Sequence, residues 1–303
     1  MGRHWPRPVA AAAIAAVAVA AAACGAGAVD IADPREIAAP IALDLMTPQQ
    51  SWHGLSGGLA DNGEPEVTPV DGRIVIVAIS MSNGNMEMNR FIQLYGGHPD
   101  VSPAIGLVNC AKGGHALERW LSMPSLWDEC DQKIAAAGFR PEQVRVVWAK
   151  NANQFPSGHT LPDPAADYVD LVENIAALSQ RIGQEYPSVQ AIFHTSRIYG
   201  GYVAADRQDQ RGEPMNYEGG FAINAVVERH RRGELPGAPW VGWGPYLWAD
   251  AEEPNASGMA WLRSDFNSDM VHPSAAGQTK VADALQPHFM RFDWYLGASP
   301  RPP

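Results

Sequence analysis

The sequence predicts a three-layer α/β/α domain over residues 71–296, built on a central, mostly parallel sheet of five strands. Three observations lead there. The run Ile74-Val75-Ile76-Val77-Ala78-Ile79 is β-branched, strand-length and apolar on both faces, as in a parallel sheet covered on both sides. Strand-like and helix-like stretches then alternate, which implies right-handed crossovers and helices on both faces of one sheet. No period of roughly 20–50 residues repeats, so a solenoid or propeller is not expected.

The elements follow in order. The first strand stops at Ser80-Met81-Ser82-Asn83-Gly84-Asn85, and a helix is expected through Phe91 and Tyr95, with Asn85 as its N-cap and Glu87 in its first turn. Ala104 to Asn109 reads as the second strand. Helices are expected around His115–Leu121 and Ser125–Ala137, the latter stopped by Gly138. Gln143 to Ala149 is the third strand, Asp163 to Tyr186 a long helix, and Val189 to His194 the fourth strand. Met215 to Arg232 is expected to be helical, with Pro214 near its start and the basic run Arg229-His230-Arg231-Arg232 suiting the negative end of its dipole. Trp240 to Trp243 makes a short fifth strand, and Ser274 to Met290 a closing helix.

Outside the domain the composition changes. Arg3 and Arg7 precede a run of Ala, Val and Ile from Val9 to Ala23, about 15 residues against the roughly 20 that span a bilayer, so residues 1–28 read as an export signal. Two cleavage sites stand open. Ala21-Ala22-Ala23-Cys24 resembles a lipobox, which would lipidate Cys24, and Ala26-Gly27-Ala28 would release a soluble protein. Residues 29–70, rich in Pro, Asp, Glu and Gly, read as a linker and irregular lead-in, and 297–303 as a disordered tail.

The chain carries 33 acidic against 22 basic side chains, a formal charge of −11, which repels phosphate backbones and argues against nucleic acid as a partner. Membrane contact is expected only through an N-terminal lipid anchor. An oxidising compartment permits Cys110 and Cys130 to pair, closing a loop of roughly 21 residues for on the order of 3 kcal/mol.

In open α/β sheets, chemistry gathers at the carboxyl ends of the strands. After the first strand come Ser80, Ser82 and Asn83; after the second, Asn109, Lys112, Gly113, Gly114 and His115; after the third, Lys150, Asn151 and Asn153. Thr195, Ser196, Arg197 and Tyr199 follow the fourth, Tyr246 and Trp248 the fifth, and Asp269-Met270-Val271-His272-Pro273 precedes the last helix. These are the parts of acyl transfer: a serine, an imidazole to take its proton, a carboxylate to orient the imidazole, and amide donors for the oxyanion. Asp269 and His272 lack the further histidines or carboxylates of a metal site, so neither metal nor cofactor is expected.

These blocks, in this order, resemble the SGNH (GDSL-type) hydrolases over about 220 residues. The resemblance implies a flavodoxin-like SGNH fold. It implies Ser82 as nucleophile, with Ser80 as fallback because Ser80-Met81-Ser82 stands where the family has Gly-Asp-Ser. Asp269 and His272 would complete the triad, and the oxyanion hole would be Ser82 N–H, Gly114 N–H and the Asn151 amide, with Asn153 as rival. The implied activity is that of a secreted or lipid-anchored serine esterase. The expected substrate is a small ester, above all an acetyl or other acyl group on a carbohydrate, with Tyr199, Tyr202, Tyr246 and Trp248 as a stacking wall. The alternative is a non-catalytic envelope lipoprotein that binds a glycan or protein partner in the same crevice.

Overall fold

The structure, a computed structural model, describes residues 58–207 and 211–297. The expected export signal with Cys24, the linker as far as residue 57, and the tail from residue 298 lie outside the described residues. Strands β1 (Ile74–Ser80), β2 (Ile105–Asn109), β3 (Val144–Lys150), β4 (Ala191–His194) and β5 (Trp240–Trp243) pair in parallel in the order β2-β1-β3-β4-β5. This is the flavodoxin-like order, whose switch point falls beside β1 and β3. Both central strands are buried along their whole length.

The helices are α1 (Ser82–Tyr95), α2 (Leu117–Ser122), α3 (Pro124–Ala136), α4 (Asp167–Glu185), α5 (Met215–Arg231) and α6 (Ala275–Phe289). Side chains of β1 alternate between two cores, as the period of a strand requires. Ile74, Ile76 and Ala78 pack with Met88 and Phe91 of α1 and Val281, Leu285 and Phe289 of α6. Val75, Val77 and Ile79 pack on the other face with Trp120, Ile134, Leu171 and Phe221 of α2 to α5. The sulfurs of Cys110 and Cys130 are bonded, with Cα atoms 5.0 Å apart, which ties the end of β2 to α3.

Two helix starts differ from expectation. Helix α1 begins at Ser82, so Asn85 lies inside it, and the first turn closes by Asn85 N–H donating to Met81 O at 2.9 Å. Gly84 permits this, because a Cβ there would collide with the Ser80 side chain; the glycine lets the helix start hard against the end of β1. Helix α4 begins at Asp167 and not Asp163. Pro164 disfavours helical backbone at Asp163, and the helix forms only after it.

Candidate active site

The switch point fixes where the reactive groups meet. Ser82 is the first residue of α1, two residues past β1, so its own N–H is among the helix donors left without an intrahelical partner. The strand end beneath it is held firmly. Ser80 O accepts from Lys112 N and from Trp120 Nε1, each at 3.1 Å, and Ser80 Oγ donates to Lys150 O. Ser80 is therefore buried and committed, and does not line the cleft.

Ser82 Oγ lies 2.9 Å from His272 Nε2, and His272 Nδ1 lies 2.6 Å from Asp269 Oδ2. The last contact is made within a single turn, where Asp269 Oδ1 accepts the N–H groups of Val271 and His272, each at 3.0 Å. Burial opposes ionisation of Asp269, but the His272 ring and these two N–H groups outweigh it and hold the carboxyl at about 2. Asn83 Nδ2 donates to Val271 O at 3.1 Å, joining the first turn of α1 to the histidine loop.

A cleft of about 210 Å³ opens beside this chain of hydrogen bonds, lined among others by Ser82, Gly114, Asn153, Arg197 and His272. Gly114 has φ +74°, a left-handed conformation that glycine adopts freely, and it turns the β2 loop toward Ser82. That loop is locked to the β3 loop by Leu117 N donating to Ala152 O at 3.1 Å and Ala116 N to Gln154 Oε1 at 2.9 Å.

The two candidate asparagines separate clearly. Asn151, the one favoured by the family pattern, donates Nδ2 to Ile79 O at 2.8 Å, and its side chain is outside the cleft lining. The physical reason is that β3 runs on through Lys150, so Asn151 still sits against the sheet end. Asn153 lines the cleft instead. Its amide is oriented from both ends: Oδ1 accepts from Asn174 Nδ2 at 2.9 Å, and Nδ2 donates to Asp167 Oδ1 at 2.9 Å.

The expected aromatic wall is not part of the cleft. Tyr246 and Trp248 are buried in the core, and Tyr202 donates its hydroxyl to Trp261 O at 2.9 Å; no aromatic residue lines the cavity among the described residues. Glu87, expected in the first turn of the helix, lies beyond that turn because α1 begins at Ser82, and it pairs instead with Lys150, Nζ to Oε1 at 2.5 Å, both side chains fully buried. Burial pushes the Lys150 ammonium down from its usual pKa, with Glu87 opposing. Arg207 and Arg211 also line the cleft, although nothing in the sequence pattern marks them. A larger groove of about 640 Å³ lies elsewhere, among Trp243, Met259 and Pro287, and contains none of the reactive residues.

No family profile and no curated protein matches this chain. Among solved structures it is similar to a GDSL-like lipase candidate from Parabacteroides merdae, with 11% identity over 75% of this chain and 98% of that one and a TM-score of 0.42. An acetylxylan esterase from Geobacillus stearothermophilus is 16% identical over 73% of this chain and 96% of that one, with a TM-score of 0.39. An extracellular lipase from Streptomyces rimosus is 12% identical over 71% of this chain and all 100% of its own, with a TM-score of 0.35. Similarities this remote carry no assignment, and the chemistry is read from the residues of this chain.

Proposed function

We propose that this protein is a carboxylic ester hydrolase working through Ser82, His272 and Asp269. The observation that carries the reading is the unbroken chain from Ser82 Oγ to His272 to Asp269 at the edge of a cleft. Ser82 Oγ attacks the acyl carbon as its proton passes to His272 Nε2, and Asp269 stabilises the imidazolium through Nδ1. The ester carbonyl becomes an oxyanion facing the N–H groups of Ser82 and Gly114 and the Asn153 amide. Collapse expels the alcohol, which takes the proton from His272. Water then attacks the acyl-enzyme, with His272 as base, and releases the acid and Ser82.

A cavity of about 210 Å³ suits a short acyl group such as acetyl better than a fatty chain. With no aromatic platform, the case for a carbohydrate alcohol rests on the polar lining of Asn83, His115, Asn153 and Gln154, which suits a hydroxyl-rich partner. Ser82→Ala is expected to lower 4-nitrophenyl acetate hydrolysis by about 10³-fold or more while the thermal unfolding profile is kept. Retained hydrolysis in that variant would refute Ser82 as nucleophile. A fluorophosphonate probe should label Ser82 in the parent; a folded parent that takes no label would favour the non-catalytic binder.

A further inference from the structure

The cleft is cationic in a chain that is acidic. Against a formal charge of −11, three arginines line the cavity that Ser82 and His272 share, and no aspartate or glutamate lines it among the described residues. They arrive separately: Arg197 lies three residues past β4, Arg207 ends the short turn Ala205–Arg207, and Arg211 lies four residues before α5. Asn216 Nδ2 donates to Arg211 O at 3.0 Å and ties that backbone to α5.

Elsewhere among the described residues five arginines pair with carboxylates, while Arg73, Arg90 and Arg145 donate to neutral oxygens and Arg119 and Arg263 lie over aromatic rings. Arg140 pairs with Asp71, Arg181 with Glu185, Arg229 with Glu173, Arg231 with Glu228 and Arg232 with Glu234. The basic run at the end of α5 is thus spent on carboxylates. At the cleft the guanidinium groups form no ion pair with a described carboxylate, and Arg197 Nε is shut off from solvent without a hydrogen-bond partner. Burial, then the neighbouring Arg211, pushes Arg197 down to about 10, so it is still a cation at neutral pH. Three carboxylates, Glu213, Glu87 and Asp167, favour that cation through their fields, and each also accepts other hydrogen bonds. Glu213 Oε1 accepts from Gly200 N at 2.6 Å and Trp248 Nε1 at 2.8 Å, its Oε2 from Tyr217 N at 3.0 Å, Glu87 Oε1 from Lys150 Nζ, and Asp167 Oδ1 from Asn153 Nδ2 at 2.9 Å.

A guanidinium is a planar fork of donors matched to a carboxylate, and such charge-assisted pairs are among the strong polar contacts. We infer that the site takes an ester of an anionic compound, whose carboxylate sits on Arg197, Arg207 and Arg211 while its ester carbonyl lies against Ser82. The inference rests on the esterase reading and adds the substrate class: short esters that carry a carboxylate, in preference to neutral acetates and glycerides.

Matched substrates test it on the full domain. The pair 4-acetoxybenzoate and 4-acetoxybenzamide places or removes the charge on the alcohol side, and monomethyl succinate with methyl butyrate does so on the acyl side. In at least one pair the charged ester is expected to have a kcat/KM about tenfold or more above its neutral match, as a charge-assisted contact supplies. In the doubly substituted Arg207→Gln, Arg211→Gln protein that preference should fall to roughly twofold or less, with thermal melts confirming the fold. Hydrolysis of neutral esters without preference in either pair, or a preference that survives the double substitution, overturns the inference and leaves the esterase reading standing. If the folded protein hydrolyses no ester, that reading fails. The anion site is then decided by calorimetric titration of Ser82→Ala with 4-hydroxybenzoate and 4-hydroxybenzamide. Tighter binding of the carboxylate, lost on removing the two arginines, upholds it; equal binding or none overturns it.

Discussion

Two pairs of potentially charged groups sit at the carboxyl edge of this sheet, and they are built in opposite ways. His272 and Asp269 are three residues apart on one loop, with side chains 32% and 37% exposed. Lys150 and Glu87 come from β3 and α1, and both are 0% exposed. The first pair lies where water can accompany a change of protonation, which an imidazole that takes and returns a proton requires. The second has no such freedom. Taking two ions from water costs several kcal/mol each and is offset only while both partners remain, and Glu87 Oε2 lacks even a hydrogen-bond partner. In the proposed mechanism the first pair serves chemistry, while the second ties α1, which begins at Ser82, to the end of β3.

Removing His272 gives the largest contrast. His272→Ala should lower kcat/KM for 4-nitrophenyl acetate by about 10³-fold or more, with little change in the urea midpoint, because the ring is partly exposed and packs on a loop. Lys150→Met should do the reverse: destabilisation of about 3–5 kcal/mol by urea unfolding, since Glu87 is left buried and unpaired, with little loss of activity per folded molecule. The double replacement Lys150→Met, Glu87→Met should recover most of that stability. Equal stability of the single and double variants would show that the buried charge is not the cause.

Acid separates the pairs next. Asp269 ionises at about 2 in the fold against an ordinary value near 4, so its ionised form stabilises the protein above pH of about 4. That contribution fades as pH falls through about 2. In Asp269→Asn it is absent throughout, so between about pH 4 and 2 the parent should lose stability more steeply than the variant, as read from urea midpoints at each pH. Parallel curves would remove Asp269 from the acid response.

The sequence showed the sheet far better than the edge. Continuous β-branched runs such as Ile74–Ile79 are legible because both faces of a parallel strand are buried, and Trp240–Trp243 reads at its full length. Asp269 and His272 are legible because their contact is local, made within one turn. What failed depended on distant contacts. Ser82-Asn83-Gly84-Asn85 has the composition of a loop, and only the packing of Gly84 on Ser80 shows why it is helical. Asn151 and Asn153 differ by one extra residue of β3, a boundary that composition does not mark. Arg207 and Arg211 stand in no periodic pattern, and only the long connection from β4 to α5 brings them to Ser82.

Asn83 links the two halves of the comparison and gives the smallest expected effect. Its side chain belongs to the first turn of α1, the helix that carries Glu87, while its amide donates to Val271 O in the loop that carries His272. It touches neither the attacking oxygen nor the imidazole, so it acts as a positioning residue. Loss of one such bond costs on the order of 1 kcal/mol, and Val271 O, with its donor gone, is free to shift. Asn83→Ala should therefore lower kcat several-fold, by about one such bond, while KM for a short acetate changes little. A purely structural role would lower the urea midpoint and leave kcat per folded molecule intact. Asn83→Asp keeps the shape but sets a carboxylate against the Val271 carbonyl, so it should impair kcat more than alanine does; an aspartate variant as active as the parent would show that the histidine loop is held without this bond.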